Sequence, residues 1–121
     1  MKVIFLPSYL TGKDGIANLS YYDLLIGLDA TAFPSYYEPW GYTPLESIAF
    51  GIPTITTDLS GFGQWINSRK EQGLEKSGVK VLHRGDLNFV EVSEDLADSI
   101  LALSHCGKAQ RAKIGQAATN V

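Results

Sequence analysis

With one cysteine, Cys106, in 121 residues, the chain cannot close an internal disulfide. A fold that does without such staples fits a reducing compartment, and a cytoplasmic location is expected. Basic runs are missing too: Lys and Arg number 10 against 13 Asp and Glu, for a formal net charge of −3. Nucleic-acid binding needs a clustered positive surface, so no nucleic-acid partner is expected. No stretch approaches the roughly 20 apolar residues of a membrane span. The opening MKVIFLPSYL is interrupted by Pro7 before it could form the apolar core of an export signal. Neither a Gly-x-x-x-x-Gly-Lys-Ser/Thr phosphate loop nor a Gly-x-Ser-x-Gly nucleophile elbow occurs. His83 and His105 have no Cys or acid at ligand spacing, so no metal site is expected.

What is present is ordinary globular material, 45% hydrophobic and 19% charged, enough for one modest core. A single domain over residues 1–121 is expected. Residues 3–6 (VIFL) read as a buried strand. Ser20 with Asp23 three residues on marks a helix start whose inner positions are Tyr22, Leu25 and Ile26, and Gly27 ends it. Residues 28–33 and PTITT at 53–57 read as strands, and VKVL at 79–82 as a fourth. Thr43 caps a helix with Pro44 at its first position and Glu46 three after the cap. A short helix follows the SGFG turn, residues 68–78 read as a polar surface loop, and Ser93 caps a helix with Leu96, Ile100 and Leu103 inside. Gly107 separates it from a final alanine-rich helix. Short buried strands alternating with amphipathic helices predict an α/β fold, a three-layer α/β/α arrangement around a parallel sheet with right-handed crossovers.

The stretch FPSYYEPWGYTPLESIAFGIPTITT, 33–57, carries the chemistry. Its first part leaves a strand at the carboxyl edge, where open α/β sheets bind ligands, and feeds a helix N-terminus with free N–H groups. Such a terminus attracts anions, phosphate above all. Gly41 lets the backbone approach a ligand, the two prolines stiffen the loop, and Tyr36, Tyr37, Trp40 and Tyr42 offer flat faces for sugar or base. The turn LSGFG leaves the next strand at the same edge. Glu38 and Glu46 stand in a Glu-x7-Glu spacing. From the residues alone, Glu46 is either the capping-box acid of its own helix or a ligand-binding acid, and Glu38 either a solvated loop acid or part of a site. The aromatics are equally open to a reading as packing lids.

The string YYEPWGYTPLESIAFGIPTITTDLSGFG, with KVIFLPSYL and DLLIGLDATAFPS before it, resembles the C-terminal domain of the glycogen synthases of the animal and fungal type. The likeness runs from residue 2 to about 66 and is weak from Ser68 onward. It implies a partial Rossmann-like unit of the two-domain GT-B fold, a fragment of the nucleotide-sugar-binding domain. It implies a retaining glucosyltransferase that moves glucose from a nucleotide-glucose, UDP-glucose rather than ADP-glucose, to an α-1,4-glucan, with no cofactor and no metal. Carried over by residue, Glu38 is the catalytic acid beside the donor sugar. Trp40, Gly41, Tyr42 and Thr43 bind sugar and diphosphate, Glu46 binds the ribose, and Ser60 and Gly61 line the same cleft. Its partners are the donor, the glucan acceptor and the N-terminal domain of the same chain. The fragment alone is expected to be inactive.

Where eukaryotic members carry an arginine-rich regulatory helix, this chain has only Lys108, Arg111 and Lys113, which points to a bacterial member. An open sheet edge near residue 1 could pair with a second copy and give a homo-oligomer. Two alternatives stand beside the glycogen synthase reading: a retaining GT-B transferase with another acceptor, and a nucleotide- or sugar-binding α/β module without catalysis.

Overall fold

The computed structural model describes residues 2–70 and 72–121. In chain order the elements are α1 (Tyr21–Leu25), β1 (Thr31–Ala32), α2 (Tyr42–Ala49), β2 (Thr54–Thr57), α3 (Gly61–Ser68), α4 (Leu74–Ser77), β3 (Val79–Leu82), α5 (Phe89–His105) and α6 (Lys108–Thr119). The three strands form one parallel sheet in the order β1-β2-β3. Among the described residues no helix is long and apolar enough to cross a membrane.

Register assigns the two faces. Thr54 pairs with Val79 and Thr56 with Val81, so these four side chains share one face, while Ile55, Thr57, Lys80 and Leu82 share the other. On the first face Val79 packs with Ile48 of α2, Phe62 and Ile66 of α3, and Ala118 of α6. On the second, Ile55 and Leu82 pack with Val92 and Leu103 of α5 and Ile114 of α6. Lys80, also on the second face, reaches Asp95 of α5 at 3.1 Å. Two helical layers thus sandwich the sheet, and α6 joins them by giving Ile114 to one cluster and Ala118, four residues on, to the other. Phe62, Ile66, Val79 and Leu82 are fully buried, and each such side chain contributes about 1.5–3 kcal/mol through removal from water.

The strand expected at residues 3–6 does not form. Val3, Ile4 and Phe5 are 81%, 76% and 80% exposed, with no strand beside them. β-branched composition suits a strand only when a neighbour completes its hydrogen bonds, and β1 pairs with β2 alone. The strand expected over 28–33 shrinks to Thr31–Ala32, because Leu28 N–H is taken by Leu25 O at 3.0 Å in the turn that ends α1. In α1, Ser20 caps as expected, but only Leu25 points inward, and Tyr22 and Ile26 are exposed. Helix α5 starts four residues before Ser93, at Phe89. Ser93 therefore lies inside the helix, its hydroxyl donating to Phe89 O at 2.8 Å, and Ile100 is half exposed. The polar stretch 68–78 holds the one-turn helix α4.

Candidate functional site

The loops that leave the three strands at their carboxyl ends are stitched together. Thr57 donates its hydroxyl to Ser35 O at 2.7 Å. Glu38 N–H reaches Leu59 O at 3.3 Å, and Glu38 O accepts Gly61 N–H at 3.2 Å, an isolated parallel bridge between Glu38 and Ser60. Phe62 N–H donates to Trp40 O at 2.7 Å. From beyond β3, Arg84 places its backbone N–H 2.9 Å from Asp58 Oδ1, while His83 Nδ1 lies 2.6 Å from Asp58 Oδ2. The Arg84 guanidinium stacks 5.2 Å from the Tyr36 ring centroid and donates to Pro34 O, and Tyr36 donates its hydroxyl to Asp86. Glu38 is thereby anchored from two neighbouring loops.

Helix α2 begins earlier than its sequence suggests. Its cap is Gly41, and its first helical residue is Tyr42, which puts Thr43 inside the helix and Pro44 at the third position. No side chain caps this end, whereas Ser20 caps α1 and Ser60 caps α3. Gly41 is at φ 108°, in the left-handed region that glycine tolerates without strain. A β-carbon there would lie 3.3 Å from Phe62 Cβ and 3.6 Å from the Glu38 carboxyl carbon. The Glu38 side chain therefore lies against the start of α2, where the helix end carries positive partial charge. Its Oε2 accepts from Ser35 Oγ at 3.2 Å.

The capping box does not form. Glu46 sits two residues too deep, at the fifth position of α2, and its Oε1 accepts instead from the hydroxyl of Tyr22 at 2.9 Å. Tyr22 lies edge-on to Tyr21, with centroids 5.2 Å apart, and 5.8 Å from Phe50 at the end of α2. The hydrogen bond to Glu46, then its charge, raises the Tyr22 pKa above the ordinary tyrosine value. Tyr21 is raised too, first by burial and then by the Glu46 charge.

Of the residues singled out in the sequence, Glu38, Gly41, Tyr42 and Thr43 gather at the start of α2. Tyr42 is 70% exposed, and Trp40 packs beside Trp65 at 6.4 Å while keeping an exposed edge. Ser60 is fully buried: its hydroxyl donates to Thr57 O at 2.9 Å, accepts Gly63 N–H at 3.0 Å and lies 3.2 Å from Thr56 Oγ1. Gly61 spends its N–H on Glu38 O, and a β-carbon there would fall 2.4 Å from Pro39 O. Both support the Glu38 loop from behind. Sequence reasoning passed over Asp58 and Arg84, which tie the three loops together. The signal was available, since each lies one or two residues past a strand, at the carboxyl edge.

The chain matches a family model described as glycogen synthase over residues 1–120. It is 38% identical over 114 residues to the glycogen [starch] synthase of Caenorhabditis elegans, covering 94% of this chain and 16% of that protein. Against glycogen [starch] synthase isoform 1 of Saccharomyces cerevisiae it is 41% identical over 99 residues, 81% of this chain and 14% of the relative. Against the liver glycogen [starch] synthase of Mus musculus it is 46% identical over 66 residues, 54% of this chain and 9% of the relative. The likeness thus continues well past Ser68, further than the motifs alone suggested. A bacterial origin gains no support, since these relatives come from animals and a fungus. The sparse basic residues near the end do not argue for one either. Arg111 is engaged structurally, donating to Asp29 Oδ1 at 2.6 Å and to Cys106 O at 3.1 Å. From its first residues to its last helix, the chain belongs to the glycogen synthase family.

Proposed function

We propose that this chain is the donor-binding part of a retaining glucosyltransferase that moves glucose from a nucleotide-glucose to the non-reducing end of an α-1,4-glucan. The observation that carries the reading is Glu38 lying against the uncapped N-terminus of α2, at the carboxyl ends of the parallel strands. The amides of Gly41, Tyr42 and Thr43 face the donor diphosphate, and Pro44, third in the helix, has no N–H to offer. As the bond to the sugar breaks, negative charge grows on the diphosphate and positive character on the anomeric centre. The helix end stabilises the first, without a metal, and the Glu38 carboxylate the second. Glu46, one helical turn beyond Tyr42, binds the ribose, and Trp40 and Tyr42 flank the donor. Ser60 and Gly61 hold the loop that carries Glu38. UDP-glucose is the preferred donor. An N-terminal domain of the same polypeptide forms the other wall of the cleft, in a Rossmann-like GT-B arrangement working in the cytoplasm without a cofactor.

The test is Glu38→Gln in the full-length protein, assayed for glucan elongation with UDP-glucose and ADP-glucose. Turnover is expected to fall by about a hundredfold or more, the order seen when one preorganised electrostatic group is removed, with the melting temperature unchanged. Near-normal turnover in the variant would overturn the reading.

A further inference from the structure

Glu46 lies outside its own cap and is held by another helix. We propose that Tyr22 is a positioning residue that fixes the Glu46 carboxylate for a vicinal diol, the ribose of the donor; this rests on the ribose role assigned to Glu46 above.

Glu46 Oε1 accepts from the Tyr22 hydroxyl at 2.9 Å. The buried Tyr21 hydroxyl, which has no other partner among the described residues, also lies against this carboxylate, but a carboxylate has about four lone-pair sites, so Glu46 keeps capacity to accept from a ligand hydroxyl. A phenol donating to one oxygen also restricts rotation of a side chain that would otherwise sample several rotamers at a partly open site. Tyr22 is itself held. Its ring lies edge-on to Tyr21 and tilts onto Phe50, with centroids at 5.2 and 5.8 Å. Phe50 caps the C-terminal end of α2, so the contact ties α1 to the helix that carries Glu46. A tyrosine with its ordinary pKa of about 10 is protonated and able to donate at neutral pH; the hydrogen bond to Glu46 shifts Tyr22 further in that direction. On α2, Tyr42 and Glu46 are four residues apart and so share one face. At 1.5 Å per residue that is about 6 Å along the axis, a step that suits phosphates at the helix end and a sugar one turn on. A solvated acid would explain neither the aromatic support nor the hydrogen bond from a separate helix.

The experiment uses the full-length protein with UDP-glucose and its 2′-deoxy and 3′-deoxy uridine counterparts. Tyr22→Phe keeps the ring packing and removes only the hydroxyl. It is expected to raise the KM for UDP-glucose by about threefold to tenfold, the range for one lost hydrogen bond, with kcat within about twofold. It should also narrow the preference for the ribose donor over a deoxy donor, and Glu46→Gln should erase that preference. In the Glu46→Gln background, Tyr22→Phe should add no further effect. If Glu46→Gln weakens the ribose preference while Tyr22→Phe leaves both KM and preference unchanged, the positioning role is overturned and the ribose role stands. A lower melting temperature and kcat for Tyr22→Phe, with preference intact, would mark a merely structural contact and overturn it too. If Glu46→Gln itself leaves the preference untouched, the ribose reading fails and the proposal falls with it.

Discussion

Ser60→Ala separates a residue that touches the donor from one that builds the site. In the fold, Ser60 is buried and its hydroxyl is fully used. It donates to Thr57 O at 2.9 Å, accepts Gly63 N–H at 3.0 Å and sits 3.2 Å from Thr56 Oγ1. Removing an N-cap hydroxyl costs about 0.5–2 kcal/mol. Leaving a buried N–H without a partner costs about 1–3 kcal/mol. The two figures describe the same lost bond to Gly63 and overlap, so the expected cost is about 2 kcal/mol, confined to the start of α3. That corresponds to about a thirtyfold rise in the local opening constant. Hydrogen–deuterium exchange of the full-length protein reads it directly: amides around Gly63 and Gln64 should exchange about thirtyfold faster, with α5 unchanged. The KM for UDP-glucose should move far less than it does in Glu46→Gln. A large rise in KM with exchange at Gly63 unaltered would refute the reasoning, because the hydroxyl would then be contacting the donor rather than the helix.

Three further outcomes are expected. Gly63→Ala should be worse than Ser60→Ala, because the new methyl would lie 2.0 Å from Thr57 O and 2.9 Å from Thr57 C. Backbone at that distance cannot swing aside, so a loss of about 3 kcal/mol or more is expected, read as a lower melting temperature. Asp58→Ala removes the acceptor of Arg84 N–H and the partner of His83. Limited proteolysis should then cut residues 83–88 faster, and glucan elongation should fall because the Tyr36 end of the Glu38 loop loses its anchor. Tyr22 and Glu46 set a pH dependence. The folded pKa of Tyr22 is raised, so the contribution of its hydrogen bond is fully present below the unfolded tyrosine value and is lost as pH rises through the higher folded value. Phenolate absorbance should show two late-titrating tyrosines, Tyr21 and Tyr22, and Glu46→Gln should move the Tyr22 step back toward the ordinary range.

Much of the fold was legible because local signals were unambiguous. Ser20 with Asp23 and Gly107 ahead of an alanine-rich run each stand where a helix begins, whereas the SGFG stretch read as a turn before a helix is itself the start of α3. The strands at Thr54–Thr57 and Val79–Leu82 show in their β-branched and apolar residues. Residues 3–6 carry the same signal and form no strand, because a strand is completed by its neighbour and composition says nothing of whether one is there. Thr43-Pro44-Leu45-Glu46 reads as a capping box and is not one. Gly41, free to take φ 108°, starts the helix sooner and moves Glu46 out of capping reach.

The same division runs through the site. The order of residues by itself determined that a strand, a stiff aromatic loop and a helix N-terminus follow one another at 31–43. That much is fixed by short-range sterics and covalent spacing, and it brought Glu38, Gly41, Tyr42 and Thr43 together. Only the tertiary structure decided that Ser60 faces inward as a cap, that Asp58 and Arg84 bind three loops into one surface, and that Tyr22 holds Glu46 across 24 positions of chain. Those pairings depend on how helices and loops from distant segments pack against one sheet, and no local pattern records which side chains that packing will place within hydrogen-bond reach.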